Sequence, residues 1–217
     1  STPAAKIPAE SDKKDLGCHT GTISDAFLEL YQAGKLTNAH KELDTGLSAW
    51  NLAMGSQELY DWLDAEPQLF HPGDLDYIHS VERISKLSNV ISINGGVQLD
   101  LMGQENAEST GTRQLSGVGG QMDFLEGAYR SKGGKGFICI NSSRVTKDGE
   151  RKSNILATIP GGSTISAPRT MIQYVATEYG IASLSGKTLR ERAEAMAAIA
   201  HPDFREELMK YARENFK

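Results

Sequence analysis

Residues 116–141 read SGVGGQMDFLEGAYRSKGGKGFICIN, and this stretch decides the fold. Ser116-Gly117-Val118-Gly119-Gly120-Gln121 is a glycine loop. Met122–Arg130 has helical character, and Gly136–Asn141 is a short apolar run of the kind that forms a buried strand, followed by a polar turn around Lys147–Arg151. Loop, helix and strand in succession point to an α/β protein. The same alternation continues on both sides. DLGCHT (15–20) reads as a buried strand. Ser24 or Asp25 caps a helix bearing Phe27, Leu30 and Tyr31, and Gly34 follows its end. Leu47–Met54 reads as a strand, and Ser56 caps a helix with Leu59, Trp62 and Leu63 that stops before Pro67. Val90–Ile93 and Val97–Leu101 flank Asn94-Gly95-Gly96 as a hairpin or as one bent strand. Asn154–Ile159, Ser163–Ser166 and Met171–Ala176 are further short strands. Thr188 and Glu191 form a capping box ahead of Leu189, Ala193, Met196, Ala197 and Ala200. Pro202 breaks that helix, and Asp203 with Glu206 restarts it under the stripe Phe204, Leu208, Tyr211 and Ala212. The expected fold is α/β, an open sheet flanked by helices. One domain is expected over 15–217, behind a poorly patterned lead-in at 1–14.

The chain has 217 residues, 39% hydrophobic and 24% charged, which is globular composition with a core large enough to need neither disulfide nor metal. The net charge is −5, and no Lys/Arg-rich block stands out, so nucleic acid is not an expected partner. The basic cluster Arg144–Lys152 is loosened by Asp148, Gly149 and Glu150 and reads as a solvated turn. No apolar run approaches the ~18 residues of a membrane span, and the first 15 residues lack the apolar core of a signal peptide. No membrane association and a cytoplasmic location are expected. Cys18 and Cys139 lie far apart in apolar surroundings and are expected as reduced, buried thiols. Two cysteines and five scattered histidines do not make a zinc site, and no metal is expected.

Glycine is the outlier, at 22 residues, many of them crowded between Gly95 and Gly162. Residues 103–121 are rich in Gly, Ser, Gln and Asn, which makes a poor core and a good site. The glycine loop runs directly into a helix, where backbone N–H groups favour an anion and glycines let a phosphate or a thioester carbonyl come close. A plain tight turn explains the same residues about as well. His19 beside Cys18 is no dyad, because neighbours on a strand point to opposite faces. His201, before Pro202, reads as a structural cap. Asp100, Glu105, Glu108, Asp123 and Glu178 are carboxylates on or near the glycine-rich stretch, and each by itself fits a surface charge.

Four ordered motifs together carry more. Gln104-Glu105-Asn106-Ala107-Glu108, Ser116 through Asp123, Thr177-Glu-Tyr-Gly-Ile-Ala182 and Ile199-Ala-His-Pro-Asp-Phe-Arg205 resemble the acetyl-CoA hydrolase/transferase family of class I CoA-transferases. The resemblance starts near Asp15 and covers nearly the whole chain, which is similar to the C-terminal half of such enzymes. It implies a site at the junction of two α/β halves, with coenzyme A as substrate and no metal. It also implies an acyl-CoA, a small carboxylic acid, and an N-terminal-half partner chain or a homo-oligomer as partners. The implied chemistry is ping-pong, through a glutamyl-CoA thioester. Gly117, Gly119 and Gly120 match the family's oxyanion loop, and Gln104, Glu108, Gln121 and His19 match polar positions near the same cleft. In the relatives the segment like Leu16–Asp25 reads His-Ser-Glu-hydrophobic-Ile-Ser-Asp, and its Glu is the nucleophile. Here Gly21 stands in that place. Three explanations stay open: a nucleophile from the N-terminal half, which is favoured; Glu105, where relatives more often have a hydrophobic residue; or loss of transfer chemistry.

Overall fold

The computed structural model describes residues 11–216. The first ten residues of the lead-in expected at 1–14 lie outside the described residues. The chain forms two compact units where the sequence reads as one domain. One runs to Val90 and includes Ser131–Gly133; the other takes Ile91–Arg130 and the chain from Gly134 onward.

The first unit is built on a parallel three-stranded sheet of β1 (His19–Ile23), β2 (Ser48–Ala53) and β3 (Phe70–Pro72) in sequence order. Among the described residues, four α-helices accompany it: α1 (Asp25–Gln32), α2 (Gln57–Ala65), α3 (Leu75–Ile78) and α4 (Val81–Lys86). Its core gathers Cys18, Ile23, Leu28, Leu59, Trp62 and Phe70. Ser56 caps α2 by accepting from the Leu59 N–H at 3.3 Å, as the sequence predicts. The strand predicted over DLGCHT starts at His19 instead, and Leu16 makes only a bridge to Leu36. Helices α3 and α4 escape the sequence reading because four and six residues are too few for a periodicity to register. Asp74 and Ser80 cap them.

The second unit carries the glycine loop. Its main sheet has the order β14-β13-β9-β4, from β4 (Ile91–Gly95), β9 (Lys135–Cys139), β13 (Tyr174–Thr177) and β14 (Gly180–Ser183). Strands β4, β9 and β13 are parallel and β14 is antiparallel at the edge. A second sheet pairs β12 (Ile155–Leu156), β5 (Gln98–Asp100) and β6 (Glu105–Asn106). Two small ladders, β7 (Ser109–Thr110) with β8 (Arg113–Gln114) and β10 (Ser143–Val145) with β11 (Arg151–Ser153), complete it. Helices α5 (Gln121–Arg130), α6 (Leu189–Ala198) and α7 (Pro202–Asn215) contribute Leu125, Ala193, Met196, Ala197, Leu208 and Ala212 to one core with Ile138, Val175 and Ala182. Burial of this kind stabilises by about 1.5–3 kcal/mol for each large aliphatic side chain. Both sides of the predicted capping box are present at α6. His201 caps α7 as expected, its Nδ1 accepting from the Asp203 N–H at 3.3 Å.

Three expectations are corrected here. Val90–Ile93 and Val97–Leu101 are neither a hairpin nor one bent strand: the chain leaves β4 at Gly95 and enters a different sheet at Gln98. Ser163–Ser166 forms no strand, and the segment touches a sheet only through the bridge Glu105–Ala167. Cys139 is exposed, because it alternates with the fully buried Ile138 at the end of β9, whereas Cys18 is buried as predicted. Among the described residues, no helix is long and apolar enough to cross a membrane.

Candidate functional site

The polar stretch at 103–121 is less a loop than a braced frame. Asn106 is fully buried and organises its own turn, its Oδ1 accepting from the N–H groups of Glu108 and Ser109 and its Nδ2 donating to Ser109 O at 2.9 Å. The Glu108 carbonyl accepts from the N–H groups of Leu115 at 2.7 Å and Ser116 at 3.3 Å, which fixes where the glycine loop begins. The Glu108 carboxylate is held by Ser166 Oγ and Gln114 Nε2, both at 3.2 Å. Asp100, also fully buried, accepts from the N–H groups of Met102 and Gln104 and from Gln104 Nε2 at 2.8 Å. Gln104 and Glu108, which the resemblance places near substrate, thus spend their side chains on this frame.

The glycine loop follows and behaves differently. Among the described residues, no intramolecular acceptor takes the N–H groups of Gly117, Val118, Gly119 or Gly120. Residues 116–119 are exposed, and a Cβ built at Gly117 or Gly119 meets nothing within 4 Å. Gly119 has φ +61°, a conformation that penalises any residue with a Cβ. Helix α5 starts at Gln121, so N–H groups without an acceptor among the described residues lie next to the positive end of a ten-residue helix.

Glu105 lies below the start of that helix. Its carboxylate is wholly buried, Oε2 accepts from Gln121 Nε2, and Oε1 has no hydrogen-bond partner among the described residues. Gly96 makes room for it, since a Cβ there would fall 2.6 Å from Oε1, with Ile138 and Ile140 close behind. Burial pushes the Glu105 carboxyl up from 4.5 to about 7, against the downward pull of the Gln121 bond. Of the candidates, Glu105 and Gln121 are therefore in direct contact, and Glu108 anchors the glycine loop.

His19 belongs to the other unit, where its Nε2 bonds the Ile78 carbonyl at 2.8 Å and burial holds its pKa below the ordinary value. Gly21 lies on β1. Glu178 is tied to the N–H and hydroxyl of Ser142, bonds that outweigh burial and keep its carboxyl low. A separate cavity of about 440 Å³ opens at the start of α6, lined by Tyr129, Arg169, Lys187, Thr188 and Arg192 among others, with no glycine-loop residue.

Sequence reasoning missed Arg192. Its nearly buried guanidinium donates to three carbonyls, of Met102 at 2.8 Å, Leu184 at 2.8 Å and Arg169 at 2.7 Å. No sequence signal set it apart, because Arg190, Glu191 and Glu194 stand around it in α6 and the group reads as solvated charge. Among the described residues, no group of three His, Cys, Asp or Glu side chains is placed to hold a metal ion.

Fold and site define an α/β unit with an exposed glycine loop that leads into a helix. Residues 55–212 match the acetyl-CoA hydrolase/transferase C-terminal domain, and the chain belongs to that family. It is 45% identical over 204 residues to the butyryl-CoA:acetate CoA-transferase of Anaerostipes caccae, covering 94% of this chain and 46% of that protein. It is 43% identical over 214 residues to the 4-hydroxybutyrate coenzyme A transferase of Clostridium kluyveri, covering 99% and 49%. Among solved structures, RipA from Yersinia pestis superposes with a TM-score of 0.87 at 37% identity, over 97% of this chain and 46% of that one. The chain spans about half the length of the relatives it matches.

Proposed function

We propose that the chain is the C-terminal-type half of a CoA-transferase that moves CoA between an acyl-CoA and a small carboxylic acid. The observation that supports the reading is the exposed glycine loop, whose N–H groups have no acceptor among the described residues and where a Cβ at Gly117 or Gly119 would meet no atom. Each tetrahedral intermediate of acyl transfer carries an oxyanion, and one well-aimed donor stabilises it by about 3 kcal/mol.

The reaction runs through a glutamyl-CoA thioester. A glutamate carboxylate attacks the thioester carbonyl, the C–S bond breaks, and CoA thiolate leaves behind a mixed anhydride. The thiolate then attacks the glutamyl carbonyl and releases the first acid as its carboxylate. The second carboxylate attacks the glutamyl thioester, and the thiolate returns to its acyl carbon. Thioester replaces thioester, so the exchange is nearly isoergic and consumes no ATP.

The glutamate comes from the N-terminal-type half. Gly21 has no side chain to acylate, and the Glu105 carboxylate is fully buried and committed to Gln121. Gln121, Gln104 and Glu108 act on the loop from below, and His19 is assigned to substrate binding. The active form is an oligomer of the two kinds of half. A cytoplasmic location fits two free thiols, one of them exposed.

The test combines this chain with an N-terminal part, butyryl-CoA and acetate, and looks for acetyl-CoA. Borohydride reduction after acyl-CoA exposure, followed by peptide mapping, is expected to find the reduced glutamate in the N-terminal part. Reduction at Glu105 would move the nucleophile into this chain. Free thiol released without an acceptor acid would make the enzyme a hydrolase. Silence with every short-chain donor, together with no reduced glutamate, would leave a non-catalytic CoA-binding half.

A further inference from the structure

The main sheet of the second unit is covered on one face and bare on the other. Its strands alternate, and the register sorts their residues into two sets. Ile138 and Val175 are wholly buried and Ala182 nearly so, all facing the helices. On the opposite face, Ile93, Phe137 and Tyr174 form one row and Gly95, Cys139, Ala176 and Ile181 the next. Ile91, Ile93 and Ile181 are 51%, 57% and 63% exposed, and the half-buried rings of Phe137 and Tyr174 stack at 4.9 Å between them. Strand β4 is inverted for a solvated surface, with Ser92 buried and both isoleucines outward. Lys135 is the one charged residue within these strands' paired rows.

Parallel strands are ordinarily buried on both faces. Four strands about 4.8 Å apart, each with about five residues at ~3.3 Å, present a flat area on the order of 300 Å². That is the scale of the largest apolar patch on an ordinary monomer, which is often functional.

We infer that this bare face of β14-β13-β9-β4 is where the N-terminal part of the family's longer members docks; the inference rests on the reading of this chain as one half of a two-part transferase. The occupant follows from what the relatives add. The matching domain is their C-terminal one, and this chain accounts for 46% and 49% of two of them, so each carries a further stretch of comparable size. A second copy of this chain is the rival occupant.

Cys139 sits in the last row of the face, on one of its two central strands, and serves as the probe, while Cys18 is buried with its thiol pushed up to about 12 and stays silent. The experiment measures maleimide labelling of Cys139 in this chain alone and in its complex with the N-terminal part of the Anaerostipes caccae relative, isolated by size exclusion. Labelling is expected to be fast in the chain alone and at least tenfold slower in the complex. Ile93→Asp or Ile181→Asp is expected to weaken the complex at least tenfold, with Val145→Asp, exposed on β10 and off the face, as the neutral control. A complex in which Cys139 still labels fast would overturn the assignment of the face while sparing the two-half reading. Failure of any complex to form would overturn both. Slow labelling in the chain alone would show the face already covered and overturn the inference, in favour of a second copy if the rate falls with concentration.

Discussion

Replacing Glu105 by Gln should change how stability depends on pH. In the folded chain the carboxyl is raised from 4.5 to about 7, with burial as the main cause. The fold therefore binds the proton more tightly than the unfolded chain does. That stabilisation is complete below about pH 4.5 and is lost as pH rises through 7, once the ionised carboxylate must be tolerated with Oε1 unpartnered. At about 1.4 kcal/mol per pKa unit, the penalty above pH 8 is about 3 kcal/mol. Glu105→Gln mimics the protonated acid: its carbonyl keeps the bond from Gln121, and no charge can form. Urea unfolding of parent and variant at pH 5 and pH 8.5 gives a double difference in which other titrating groups cancel. The variant should be the more stable protein at pH 8.5, by up to about 3 kcal/mol or roughly 6 °C or more in Tm, and close to the parent at pH 5. Parallel pH profiles for the two proteins would refute the burial argument.

Gly119→Ala should lower stability by only about 1 kcal/mol, because its Cβ meets no atom but the backbone must hold a left-handed conformation. In the reconstituted enzyme the same change should reduce kcat/KM more than tenfold, by turning the loop's amides, and Gly117→Ala should do less to both measurements. Arg192→Ala should destabilise the second unit by about 3 kcal/mol or more, since three carbonyls lose their donor; Arg192→Lys should recover only part of this in denaturant titrations, having one nitrogen where the guanidinium has three. Thr188→Ala should lose the capping box at α6, at about 1 kcal/mol, read from the same titrations.

Elements with an end signal were legible in the sequence. Ser56, Thr188 with Glu191, and His201 before Pro202 all mark helix starts within a residue, since a cap is a local arrangement that the neighbouring residues determine. The glycine loop was legible for the same reason. Partnership between distant segments was not. Nothing near Val97 says that it opens a second sheet, because the partner strand of β5 lies at Ile155–Leu156. Nothing near Cys139 says which face of β9 will go uncovered. The frame under the site was hidden most fully. The resemblance sets Gln104 and Glu108 near the family's cleft, but nothing in the sequence says that Asp100 and Ser166 hold their side chains. Glu105 stood out as a departure from its family's pattern, but its burial depends on Gly96 and Gln121, nine residues before it and sixteen after.

Arg192 has a consequence for how the chain is made. The carbonyls it joins, at Met102, Arg169 and Leu184, all belong to residues that precede it. During synthesis the stretch at Met102 leaves the ribosome 90 residues before the side chain that fastens it, and Leu184 only 8 residues before. A nascent chain arrested upstream of residue 192 is thus left with three seams unsewn, and the second unit reaches its finished form only after α6 has been made.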